Sequence, residues 1–75
     1  MSFSAVQVTF LQRLVSERPE RRRAGDAARF FCDHYSLGTS VGSQVEYRAD
    51  HLEAAKRLLQ SACAVLPLAL ASHCS

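Results

Sequence analysis

The chain has 75 residues, a formal net charge of +2, 48% hydrophobic residues and 21% charged residues. Its length allows one domain at most, and its composition is typical of globular proteins and excludes wholesale disorder. A core this small hardly encloses a catalytic pocket, and the sequence lacks a phosphate-binding glycine loop. We therefore expect a protein without catalytic residues or cofactors.

The first predicted helix begins after Ser4. Ser4 and Gln7 match a capping box, and Phe3 and Val8 match the hydrophobic staple that often accompanies one. Apolar residues then recur with helical spacing in two neighbouring rows, which are Val6, Phe10 and Leu14, and Val8, Leu11 and Val15. Pro19 disfavours helical geometry at the residue before it, so this helix should end near Arg18.

An arginine-rich segment, residues 16–23, follows as a predicted charged connector. It contains Arg18, Arg21, Arg22 and Arg23. Adjacent guanidinium groups can neutralise nucleic-acid phosphates, or they can meet an acidic surface on another protein. The third interpretation is a solvated connector whose charges keep a small protein in solution.

The second predicted helix begins between Pro19 and Ala27, and Asp26 is a good candidate for its N-cap. Its expected apolar face consists of Ala27, Phe30, Phe31, Cys32 and Tyr35. We expect this helix to stop before Gly38, because glycine readily adopts the left-handed conformation that terminates helices.

A loop over residues 37–43 precedes a short extended segment. Apolar and polar residues alternate in this segment, which comprises Gln44, Val45, Glu46, Tyr47 and Arg48. Such alternation predicts a half-buried strand. If this strand pairs with Val65–Leu70, the two form a minimal two-stranded ribbon in a winged-helix-like arrangement.

The third predicted helix begins at Asp50, with Glu53 as the second half of a capping box. Its expected inner face is apolar and consists of Leu52, Ala55, Leu58, Leu59, Ala62 and Cys63. Pro67 cannot continue a helix, so this one should end near Ala64. Glu53 and Arg57 are spaced for an ion pair along the helix. The outer face carries residue types that can contact DNA, namely His51, Lys56, Arg57 and Gln60.

The apolar tail, with Leu66, Leu68 and Leu70, is the last candidate site. It could pack across the helices, or it could form an exposed patch that binds a partner. The apolar stretch at 62–71 is about half as long as a membrane-spanning helix, which needs about twenty residues. We therefore expect no membrane association.

Three cysteines, Cys32, Cys63 and Cys74, are present without a secretory signal sequence. An odd number of cysteines in such a chain argues against a disulfide framework and favours a reduced, cytoplasmic protein. The spacing between the cysteines and His34 or His73 does not match that of a zinc site, so we expect no bound metal.

We therefore predict a mainly α, three-helix domain with one short extended segment, covering residues 1–75 with an apolar tail at 64–75. The favoured function is that of a small binding module that associates with DNA. Its predicted nucleic-acid contacts are Arg18, Arg21, Arg22, Arg23, Lys56 and Arg57. The alternative is a protein-interaction module, such as an inhibitor, an adaptor or a homodimerisation domain. Its predicted contacts are Phe30, Leu66, Leu68 and Leu70.

Overall fold

The computed structural model describes residues 3–65, which form three helices and three short strands. In chain order they are α1 (Ala5–Glu17), β1 (Arg21–Arg23), α2 (Asp26–Tyr35), β2 (Thr39–Val41), β3 (Gln44–Glu46) and α3 (Ala49–Val65). The prediction of a mainly α chain with three helices is confirmed. The single extended segment of the prediction is one strand of a three-stranded antiparallel sheet.

Helix α1 begins and ends as its sequence predicts. The Ser4 side chain accepts a hydrogen bond from the Gln7 backbone N–H at 3.2 Å, and the Gln7 side chain accepts one from the Ser4 N–H at 2.9 Å. Phe3 and Val8 are both buried beside this capping box. At the other end, Arg18 adopts a left-handed conformation with φ of 46°, and its N–H donates to the Leu14 carbonyl at 3.0 Å.

The sheet has the strand order β1-β3-β2. In β3, Val45 lies opposite Arg22 on one side and Ser40 on the other, and these three residues share the face that points toward the core. Val45 is fully buried, as the predicted half-buried strand requires. Both edges of β3 are therefore occupied by β1 and β2. Val65, part of the predicted partner segment, is the last residue of α3, and residues 66–70 lie outside the described range.

Two predicted features of α2 are wrong. Its N-cap is Gly25, without a side-chain hydrogen bond, and Asp26 lies one position inside the helix. The left-handed residue that ends α2 is Ser36, with φ of 58°. Gly38 serves a different purpose, because a Cβ atom at this position would lie 2.5 Å from Val45 Cγ1. Glycine is therefore required there for close packing of the chain against β3.

Helix α3 begins at Ala49, one residue before the predicted cap, Asp50. The His51 side chain takes the part predicted for Glu53, because its Nδ1 accepts a hydrogen bond from the Arg48 backbone N–H at 3.0 Å. The helix extends to Val65, close to the predicted end at Ala64.

The core lies between the helices and the inner face of the sheet. Helix α1 packs along α3, and α2 packs against β2 and β3. The buried apolar residues form one cluster, which comprises Phe3, Val8, Leu11, Leu14, Phe31, Cys32, Leu37, Val45, Tyr47, Leu52, Ala55 and Ala62. Among the described helices, none is both long enough and apolar enough to cross a membrane.

The cysteines differ from one another. Cys32 is a free thiol in the core, as expected of a small apolar side chain. Cys63 is disulfide-bonded, so the prediction of reduced cysteines is wrong at this position. An odd number of cysteines disfavours a complete framework of bridges, but it leaves room for one bond.

Candidate functional site

The three adjacent arginines of β1 do not form one cluster. Successive side chains of a strand point to opposite faces of the sheet. Arg21 and Arg23 are exposed, whereas Arg22 is half-buried and lies opposite Val45 on the inner face. The last three residues of the predicted connector, Arg21–Arg23, thus form a strand, and its geometry separates the guanidinium groups that the sequence places side by side.

Carboxylates pair with most of the arginines in this segment. Arg21 pairs across the sheet with Glu46, and Arg22 pairs with Glu17 of α1. Arg18 lies 3.7 Å from Glu53 of α3. These pairs neutralise much of the positive charge that the sequence concentrates at residues 18–23.

Four exposed cations form no ion pair within residues 3–65: Arg23, Arg48, Lys56 and Arg57. The ion pair predicted between Glu53 and Arg57 is wrong, because Glu53 pairs with Arg18 across the fold. Of the six predicted nucleic-acid contacts, only Arg23, Lys56 and Arg57 are free to meet phosphates without first leaving a carboxylate.

Glu17 binds two arginines at once. Its Oε2 lies 3.2 Å from Arg13 Nε, one turn earlier on α1, and its Oε1 pairs with Arg22 of β1. Two guanidinium groups therefore stand against one carboxylate where α1 meets β1.

Helices α1 and α2 are held apart by aromatic side chains. Within the described range, the backbones of the two helices make no close contact. The rings of Phe10 and Phe31 meet edge to face with centroids 5.9 Å apart, and those of Phe3 and Tyr35 lie 5.6 Å apart. Because these rings bridge the two helices near the core, a groove remains between them at the surface.

We call this recess the α1–α2 groove. Its middle part has a volume of about 440 Å³ and is lined by Val6, Gln7, Phe10, Gly25, Asp26, Ala27, Ala28 and Phe31. At one end it continues to a basic end with Arg13, Arg22 and Arg23. At the other it continues to an aromatic end with Phe30, His34 and Tyr35. The groove is thus apolar in the middle and charged at one end.

Among residues 3–65, the two most exposed large apolar side chains both line this groove. Val6 is 78% exposed and Phe30 is 71% exposed. The Phe30 ring stacks on His34 with centroids 5.9 Å apart and an angle of 12° between the planes. Phe30 was among the predicted protein contacts, and its exposure is compatible with that role. The other three, Leu66, Leu68 and Leu70, lie outside the described residues.

Sequence reasoning missed Val6 and Phe10 as surface residues, although the sequence carries a signal. At 100° per residue, the six apolar positions of α1 span an arc of about 200°. That arc is wider than the stripe of about 100° by which a helix typically faces its core. The buried side of the arc contains Val8, Leu11 and Leu14, and Val6 lies at its exposed edge.

The buried pair Cys32 and Tyr47 offers no obvious reactive group. Burial raises the pKa of the Cys32 thiol, and it also raises the pKa of the Tyr47 phenol. A raised pKa keeps the thiol protonated, whereas a nucleophilic or metal-binding cysteine needs the thiolate. Across residues 3–65, no group of three or more His, Cys, Asp or Glu side chains could hold a metal ion.

Comparison with protein-family models, with curated proteins and with solved structures finds no match to this chain.

Proposed function

We propose that this protein is an interaction module that binds another polypeptide in the α1–α2 groove. The observation that carries this proposal is the placement of Val6 and Phe30. Both side chains are mostly exposed, and both lie along one groove. Exposed apolar side chains that gather at one recess are typical of protein-binding surfaces.

The energetics of burial favour such a partner. Full burial of a valine or phenylalanine side chain contributes about 1.5–3 kcal/mol. Phe31, at the floor of the groove, is already buried and contacts Phe10, so the recess is formed before a partner arrives. A preformed groove reduces the ordering cost of association. Burial of Val6 and Phe30 against apolar side chains of a partner segment therefore favours binding.

Panning of a random peptide library on the immobilised full-length protein tests this proposal. Peptides should be recovered on the wild-type protein and lost on the Val6→Asp variant, because a carboxylate in the first turn of a helix is tolerated by the fold but not by an apolar interface. Val41→Asp is the matched control, since Val41 is also exposed but does not line the groove.

The outcomes of the panning experiment distinguish binding in the groove from binding elsewhere. Recovery on wild type and Val41→Asp, with loss on Val6→Asp, supports the proposal, provided that melting curves show all three proteins folded. Recovery of the same peptides on all three proteins would show that they bind outside the groove, which would contradict the proposal. Sedimentation over a range of concentrations identifies the case in which the polypeptide is a second copy of this chain, because its mass then rises in a Val6-dependent way.

A second candidate function is DNA association, which four exposed cations without an ion pair among residues 3–65 favour: Arg23, Arg48, Lys56 and Arg57. In a winged-helix-like reader, α3 would lie in the major groove and the β2–β3 hairpin would form the wing. Arg18, Arg21 and Arg22 would have to exchange their carboxylate partners for phosphates. Duplex DNA titrated at two salt concentrations tests this, because phosphate contacts weaken steeply with salt. An absence of binding at low salt eliminates it.

A further inference from the structure

We infer that the polypeptide bound in the α1–α2 groove presents a carboxylate to Arg13 and Arg22, and that Glu17 occupies this anion site in the free protein. This inference rests on the proposed function and adds the chemistry of the partner. Glu17 then competes with the carboxylate of the partner for the two arginines. This competition lowers the affinity for acidic segments and disfavours segments with few acidic residues.

The two arginines that Glu17 binds are held in place by different elements. Arg13 lies one helical turn before Glu17 on α1. Arg22 comes from β1, where pairing with Val45 in the sheet fixes its backbone, and its side chain is only 29% exposed. Two guanidinium groups anchored on separate elements therefore converge on a single carboxylate. Such an arrangement is preorganised to receive an anion.

The number of donors exceeds what one carboxylate can satisfy. Each guanidinium group carries five N–H donors. Glu17 engages Arg13 and Arg22 through one oxygen each, so most of their N–H donors make no contact with it. A second carboxylate can therefore bind at the basic end beside Glu17 or in its place. Bidentate arginine–carboxylate contacts are among the stronger hydrogen bonds in proteins.

The charges along the groove also fix the orientation of the partner. Arginines line the basic end, whereas phenylalanine, histidine and tyrosine line the aromatic end. Asp26, beside the middle part, pairs with Arg29 of its own helix. The partner should therefore place its apolar anchors between Val6 and Phe30 and its acidic residue toward β1.

This charge pattern favours a different chain over the tail of this one. Residues 66–75 contain three leucines but neither Asp nor Glu. These leucines could satisfy the apolar part of the groove, but the segment has no acidic side chain for Arg13 and Arg22. An apolar segment with an acidic residue at one end satisfies both parts.

Two labelled helical peptides of about 14 residues, with leucines three and four positions apart, test the inference. One carries glutamates at the end beyond the leucines, and the other carries glutamines there. On the full-length wild-type protein, the glutamate peptide should bind more tightly. Glu17→Gln should tighten the glutamate peptide by about threefold to fivefold, the effect of one exposed ion pair, and leave the glutamine peptide unchanged.

Arg13→Gln is the complementary variant, since Arg13 is 61% exposed and its replacement should leave the fold intact. It should weaken the glutamate peptide by about threefold to fivefold without affecting the glutamine peptide. Arg57→Gln, which removes an exposed charge on α3, is the matched control and should change neither. The preference for glutamate should also shrink at high salt.

Equal affinity for both peptides, unchanged in Glu17→Gln, would overturn the inference. The proposed function would survive that result if binding of both peptides were lost in Val6→Asp. If neither designed peptide binds, the inference is tested on the peptides that panning recovers on the wild-type protein but not on Val6→Asp. Enrichment of Asp and Glu beside their apolar residues supports the inference, and its absence overturns it.

Discussion

The thiol sulfur of Cys32 lies 3.9 Å from the phenol oxygen of Tyr47, inside the core between α2 and the end of β3. Both side chains are buried, and burial is the largest cause of the raised pKa of each. The negative charge on Asp33 further raises the pKa of Cys32, whereas the hydrogen bond from Tyr47 lowers it. The folded protein therefore holds both groups in their neutral forms.

Alkaline solution should destabilise the protein through this pair. In the unfolded chain the thiol and phenol ionise near their ordinary pKa values of about 8.5 and about 10. Since the folded pKa values are higher, their contribution to stability is complete below about pH 8 and is lost as the pH rises above that value. Urea unfolding at a series of pH values should show this fall in the free energy of unfolding.

The Cys32→Ala variant isolates the contribution of the thiol. Its free energy of unfolding should be lower at neutral pH because of the cavity, but it should fall less steeply than that of wild type between about pH 8.5 and pH 10. Identical slopes in the two proteins would show that the thiol ionises equally easily in the folded and unfolded states.

Gly38→Ala should destabilise the protein by about 1–3 kcal/mol, the usual cost of overpacking. The added methyl group would meet Val45 Cγ1 at 2.5 Å, the Glu46 carbonyl oxygen at 3.0 Å and Tyr47 Cδ1 at 3.0 Å. Two of these atoms belong to buried side chains and the third to the backbone of β3, so none moves aside easily. Thermal or urea unfolding measures the effect.

Gly25 provides the contrast to Gly38. A Cβ atom at Gly25 meets nothing within 4 Å, and the N-cap of α2 lacks a side-chain hydrogen bond. Gly25→Ser should therefore leave stability unchanged or raise it by a few tenths of a kcal/mol. If Gly25→Ser destabilised the protein as much as Gly38→Ala, close packing at Gly38 could not be the reason for its effect.

His51 should contribute to the stability of α3 as a capping residue. Its Nδ1 accepts from the Arg48 N–H, which otherwise lacks a partner at the start of the helix. His51→Ala should lower the free energy of unfolding by about 0.5–1 kcal/mol. His51→Gln should restore most of it, since glutamine commonly fills this position of a capping box. A glutamine variant as unstable as the alanine variant would rule out the capping role.

Arg22 and Arg23 should differ in their effects on stability, although they are adjacent and identical. Arg22→Ala removes a half-buried stem and the ion pair that ties β1 to Glu17, and should cost about 1 kcal/mol. Arg23→Ala removes an exposed side chain that has no ion-pair partner in the described part of the chain, and it should change stability by less than about 0.5 kcal/mol. Comparable losses from both substitutions would contradict the alternation of β1.

Local signals predict α1 and α3 well. The Ser4–Gln7 capping box fixes the start of α1, and Pro19 fixes its end, because both effects act within a few residues. The cap of α3 shows the limit of such reasoning. Asp50 and Glu53 match the sequence signature, yet His51 makes the hydrogen bond, since the helix begins at Ala49, two residues before the start that a cap at Asp50 predicts.

The strands β1 and β2 were beyond the reach of local signals. Arg21–Arg23 has no apolar alternation and no high strand propensity, and it becomes a strand only because β3 supplies hydrogen-bonding partners more than twenty residues later. The basic end of the groove has the same origin. The approach of Arg22 to Glu17 depends on that pairing, so neither residue alone indicates an anion site.

The α1–α2 groove exists because none of the described elements covers the outer apolar residues of its two helices. The sequence shows Val6 and Phe30 on apolar helix faces, and such residues are ordinarily covered by a neighbouring element. Whether a neighbouring element covers such a helix face depends on how the whole chain packs. Here Phe10 and Phe31 meet each other near the core, and their bulk keeps the two helices from closing over the outer residues.

The strand order β1-β3-β2 also determines when the chain can fold as it leaves the ribosome. β1 emerges before α2 and β2, yet its hydrogen-bonding partner, β3, is the last of the three described strands to be made. The packing of α1 is delayed still further, because α1 packs along α3. We therefore expect the domain to form in one late, cooperative step once α3 is available.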